Sequence, residues 1–146
     1  MGRSIGGQIS MAEQKSRIMI IPCSGIGKAF GTIGREAAYI VVDETRPETT
    51  DTICLSALVM GDEETKARVQ GRACITIDGC PIGCARKNTE LAGGAVARAL
   101  RVVDTYKQHH ELKPQTVTEL DEAGRRLAEI LAQQIADEVD RIQEAQ

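Results

Sequence analysis

Ala73-Cys74-Ile75-Thr76-Ile77-Asp78-Gly79-Cys80-Pro81-Ile82-Gly83-Cys84-Ala85-Arg86-Lys87 runs from an apolar stretch through a turn into a segment of helical character. Residues 73–77 read as a buried strand. Asp78 suits a cap for the turn that carries Gly79. Pro81 fits the first turn of a helix, where its missing N–H costs nothing, and Gly93-Gly94 ends that helix. Two thiols, Cys80 and Cys84, therefore lie at a strand-to-helix junction, where α/β proteins commonly keep their sites.

Upstream, Arg17-Ile18-Met19-Ile20-Ile21 is a second apolar run, ended by Pro22. Pro22-Cys23-Ser24-Gly25 is the turn that follows. Ile26, Phe30, Ile33, Ala37 and Ile40 recur at three- and four-residue steps, which predicts a helix from Ile26 to about Val42 with these residues on one face. Gly27, Gly31 and Gly34 weaken that helix but allow it close to a sheet. Arg46-Pro47 closes it. Cys54-Leu55-Ser56-Ala57-Leu58 suggests one or two helical turns, and residues 62–69 a polar helix stopped by Gly71.

Downstream, residues 99–103 read as a third strand. After Pro114, Leu120, Leu127, Leu131, Ile135, Val139 and Ile142 form one long amphipathic stripe. Thr116-x-x-Glu119 and Thr118-x-x-Asp121 compete as its cap. This helix is longer than a three-stranded sheet needs, so its far end either frays or packs on a second subunit, as a homodimer. The alternation predicts an α/β fold: a small three-layer domain with a short, mostly parallel sheet of about three or four strands and a long C-terminal helix. Residues 17–146 form one domain and residues 1–16 a flexible tail.

Bulk properties narrow the function. Net charge is −3, so no broad cationic field draws in nucleic acid or an anionic membrane. One Phe, two Tyr and no Trp are too few for base-stacking platforms. No apolar run approaches the ~18 residues that span a bilayer, and the N-terminus lacks the apolar stretch of a secretory signal. The expected compartment is the reducing cytoplasm, where five cysteines point to metal binding or catalysis rather than disulfides.

In a parallel sheet the turns after the strands at 17–21 and 73–77 open at the same edge. Cys23 and Cys80 then meet there, Cys84 shares a helical face with Cys80, and Cys54 can fold over the same edge. Four thiolates suit a closed zinc site or an iron–sulfur cluster. A helix N-terminus with Arg86 and Lys87 nearby favours thiolate, which suits a ligand and a nucleophile equally. Blander readings stand beside these. Cys74 is core packing. Cys54 is also readable as a small buried residue, and Arg86 and Lys87 as a solvated helix face. His109-His110 are surface residues rather than ligands. Ser24-Gly25-Ile26-Gly27-Lys28 fails the phosphate-loop fingerprint, because Pro22 stands at its first glycine and Ala29 at its Ser/Thr. A glycine-rich helix start can still hold an anion.

The motif Asp78-Gly79-Cys80-Pro81-x-x-Cys84-Ala85-Arg86-Lys87 resembles the hallmark of the DGC-domain family, which is described as zinc-binding. Pro22-Cys23-Ser24-Gly25 and Cys54-Leu55-Ser56-Ala57-Leu58 resemble that family's other cysteine motifs, in the right order. The resemblance covers about residues 17–105. It implies a metal site, zinc by expectation, on Cys23, Cys54, Cys80 and Cys84, and leaves Cys74 out. It brings no settled activity with it. A thiol or sulfur-transfer enzyme with Cys80 or Cys23 as nucleophile, and an iron–sulfur carrier or sensor, stay open as alternatives; catalytic residues are not assigned.

Overall fold

The computed structural model describes residue 10 and residues 16–146. All but Ser10 and Ser16 of the tail expected over 1–16 lies outside the described residues. Four strands, β1 (Ile18–Pro22), β2 (Thr50–Thr52), β3 (Ala73–Asp78) and β4 (Ala95–Arg101), form one sheet in the order β2-β1-β3-β4. Every pairing is parallel, with Ile20 opposite both Thr52 and Ile75. The helices are α1 (Ala29–Tyr39), α2 (Leu55–Val59), α3 (Glu63–Val69), α4 (Cys84–Leu91), α5 (Val102–Gln108) and α6 (Glu122–Ala145). α1 runs on into a π-helical segment, Ile40–Thr45.

Side chains alternate across each strand, and this splits the core in two. Ile18, Ile20, Ile75 and Ile77 face Ile33 and Ala37 of α1, Val102 of α5 and the stripe of α6. Met19, Ile21 and Cys74 face the other way, against Leu55 and Leu58 of α2, Val69 of α3 and Ala85 of α4. β1 and β3 are covered on both faces, which is why they read as nearly unbroken apolar runs. Gly34 lets α1 sit close to the sheet: a Cβ there would lie 3.1 Å from Ile77 Cγ2 and 3.2 Å from Val102 Cγ2.

The α6 stripe is consumed within the chain. Leu127, Leu131, Ile135 and Val139 are all fully buried, each contributing about 1.5–3 kcal/mol of burial. That removes the reason for expecting a second subunit on this helix. Asp121 is its N-cap, accepting from the Gly124 N–H at 2.8 Å. Neither capping box forms; Thr116 instead accepts from the Asp121 N–H at 3.0 Å.

Several boundaries depart from the sequence reading. Residues 95–101, not 99–103, are the third sequence-predicted strand, and the helix α5 begins directly after it. β2 is an additional strand of only three residues, Thr-Asp-Thr. α4 starts at Cys84 rather than Pro81. Its start is set by Gly83, which adopts a left-handed φ of 76°, and by Asp78, which caps the helix from across the turn.

Candidate functional site

Three neighbouring strands each deliver a cysteine just past their C-terminal ends. Cys54 lies two residues beyond β2, Cys23 one beyond β1 and Cys80 two beyond β3. With β2, β1 and β3 parallel and adjacent, all three loops open on one sheet edge. The chain steps outward from β1 to β2, then back past β1 to β3, so the strand order reverses between β1 and β3. Crevices at such switch points are where open α/β sheets take their ligands.

Cys23 occupies the centre. Its Sγ accepts the Gly79 N–H at 3.3 Å, which ties the loop after β1 to the loop after β3. The Ser24 and Ser56 hydroxyls, 3.4 Å apart, join the loop after β1 to the start of α2, just past the loop after β2. Cys23 and Cys80 line one cavity of about 480 Å3, and Cys23 and Cys54 another of about 440 Å3. Cys84 opens α4 and is exposed. It does not share a helical face with Cys80, which lies in the turn before the helix. Nor do Cys23 and Cys80 sit at helix N-termini, since α1 begins only at Ala29.

Asp78 does more than cap a turn. It is 3% exposed, and its two carboxylate oxygens accept the Ala85 N–H at 2.8 Å and the Arg86 N–H at 3.2 Å. These are the donors that a helix start leaves without an intrahelical partner. The carboxylate is thereby committed to α4, which leaves thiols as the soft donors of the edge.

Electrostatics separate the cysteines. Burial pushes the Cys23 thiol up, the Gly79 N–H partly offsets this, and the charges of Asp78, Cys80 and Cys84 raise it further. The Ala57 and Ser56 N–H groups pull Cys54 below the ordinary thiol value. Cys74 is wholly buried and is pushed up to about 11 by that burial, as its core reading requires. The thiolate is the reactive form, so a lower pKa means faster alkylation at a given pH. Metal-free protein treated with iodoacetamide near pH ~8 is expected to label Cys54 before Cys23, and Cys74 last of all. Per-residue mass spectrometry checks the order; Cys74 labelling as fast as Cys54 in folded protein contradicts it.

The four motif thiols are thus gathered at one edge without being closed into a cluster. Among the described residues, no three Cys, His, Asp or Glu side chains converge tightly enough to share a metal ion. His109 stays apart, 3.5 Å from Glu111, and His110 packs edge-on against Tyr106 at 5.1 Å.

The sequence matches the DGC domain over residues 19–126. The chain belongs to the DGC family. The match extends past the resemblance seen at about 17–105, through α5 and into the first turn of α6, so the DGC domain here includes the start of the C-terminal helix. No curated protein and no solved structure matches the chain. Two features of this DGC domain were not legible as site residues: the helix-capping role of Asp78, and the part played by Phe30 and Tyr106, which line the larger cavity. The scarcity of aromatics in the composition was the one available signal for the latter.

Proposed function

We propose that this DGC-family protein binds a metal through thiolates, with Cys23, Cys54, Cys80 and Cys84 as its ligands and zinc as its ion. The observation that carries the reading is the delivery of one cysteine from each of three adjacent parallel strands to a single sheet edge. The donor set fits: four thiols, with the buried Asp78 carboxylate beside them already committed to backbone N–H groups. The Gly79 N–H bond to Cys23 Sγ supports it too, since it partly offsets the burial that otherwise disfavours a thiolate there. When bound, zinc supplies a tetrahedral cross-link among the loops. Binding has to draw those loops together, so it couples to stability. Thiols kept for this purpose call for a reducing compartment, and we place the protein in the cytoplasm.

Anaerobically purified protein is expected to carry about one zinc per chain and to be colourless. Cys23→Ser and Cys80→Ser are each expected to lose most of it, and Cys74→Ser to retain it. Less than about half an equivalent of any metal, with all thiols freely reactive, overturns the reading. A brown protein holding iron and sulfide assigns the same thiols to a cluster instead. A single hyper-reactive thiol at Cys80 or Cys23 in metal-free protein transfers the case to thiol or sulfur-transfer chemistry.

A further inference from the structure

The cavity of about 480 Å3 at the switch point is lined mainly by apolar side chains and glycine backbone. Its size lies within the range of small-molecule sites. Phe30 and Tyr106 form part of its wall, with ring centroids 5.4 Å apart and planes tilted by 48°. They are two of only three aromatic residues in the chain. Val103, Pro81 and Pro114 continue the apolar lining. Glycine backbone forms another part of it: Gly25, Gly31 and Gly79 crowd so closely that a Cβ on Gly79 would lie 2.9 Å from the Gly31 nitrogen.

Among the described residues, no acidic residue lines this cavity, in a protein of net charge −3. Two lysines do, Lys28 from the loop before α1 and Lys113 from the segment between α5 and α6. Both are exposed, and neither has an ion-pair partner among the described residues. The segment carrying Lys113 is held across α1 by the Thr32 hydroxyl, which donates to the Val117 carbonyl at 2.7 Å. Cys23 and Cys80 lie in the same lining.

An apolar hollow with a few placed polar groups orients a ligand by its one charged end. We propose that this cavity takes a small organic carboxylate with an apolar body, the body against Phe30, Tyr106 and Val103 and the carboxylate at Lys28 and Lys113. The apolar walls give area but little discrimination. The two lysine ammonium groups select the anion, because a charge-assisted hydrogen bond is worth more than a neutral one. The inference shares two thiols with the proposed metal centre and does not depend on metal being bound.

The test uses the full chain, both chelator-treated and zinc-loaded, with metal content measured on each sample. Calorimetric titration compares 3-phenylpropionate, its uncharged amide 3-phenylpropionamide, and propionate, which keeps the charge and loses the ring. The expected result is binding of 3-phenylpropionate at least ~10-fold tighter than either of the others. The double variant Lys28→Gln/Lys113→Gln is expected to bring the carboxylate to within about 3-fold of the amide while leaving amide binding unchanged. Equal affinity for carboxylate and amide, selectivity that survives in the double variant, or no saturation below ~10 mM overturns the inference. Carboxylate selectivity in protein that takes up no metal upholds the cavity and overturns the metal reading alone.

Discussion

Gly31→Ala is expected to destabilise the protein by about 3 kcal/mol, at the upper end of what overpacking ordinarily costs. A Cβ on Gly31 would run into the Gly25 carbonyl oxygen and lie 2.5 Å from the Gly25 Cα and 2.7 Å from its carbonyl carbon. All three atoms are backbone, so no side chain can rotate away. Gly25 is itself held in a left-handed conformation, φ 49°, one step after Ser24, and the loop it belongs to positions Cys23. The clash therefore acts on the site as well as on stability. A lower denaturation midpoint should come with faster alkylation of Cys23. Gly34→Ala is the comparison: its Cβ would meet only the methyl groups of Ile77 and Val102, which can yield, and about 1 kcal/mol is expected. If chemical denaturation places Gly31→Ala at the wild-type midpoint, the close backbone contact is not as described.

Asp78→Ala is expected to cost a similar amount, about 3 kcal/mol, through a different mechanism. The side chain is buried and satisfies two of the free N–H groups in the first turn of α4, at Ala85 and Arg86. Removing it strands both donors, one of them on a fully buried residue, and each buried donor left alone costs about 1–3 kcal/mol. Asp78→Asn keeps the shape and one acceptor oxygen but loses the charge, and about half the effect is expected. Because α4 begins at Cys84, fraying its first turn also loosens that thiol. Metal retention should fall in the order wild type, Asn variant, Ala variant. Equal stability of the Ala variant and the wild type would show that the helix start is held by something else.

Much of the site could be read before the fold was known. Two apolar runs, residues 17–21 and 73–77, each ended by a turn bearing a cysteine, were enough to place Cys23 and Cys80 at one edge of a parallel sheet. Cys74 could be assigned to the core because it lies inside such a run. β2 could not be read, because three residues, Thr50-Asp51-Thr52, are too few and too polar for any periodicity; they form a strand because β1 offers an edge to pair with. The start of α4 was placed three residues early, since Pro81 is acceptable at a helix start and nothing local shows Asp78 reaching across the turn. The α6 stripe was clear, but not the face that covers it: the helix packs along α1 and the π-helical segment.

The sequence by itself determined the α/β class, the parallel sheet edge carrying Cys23 and Cys80, the buried Cys74 and the long amphipathic helix. Each of these is written in residue type and spacing over a few positions, where burial on one or two faces dictates apolar period. Only the tertiary structure decided that Asp78 caps α4, that Cys54 follows an edge strand paired to β1, and that Phe30, Tyr106, Lys28 and Lys113 line one cavity. Those residues meet from loops and helices far apart in the chain. Such meetings depend on which elements pack together, which no short stretch of sequence records.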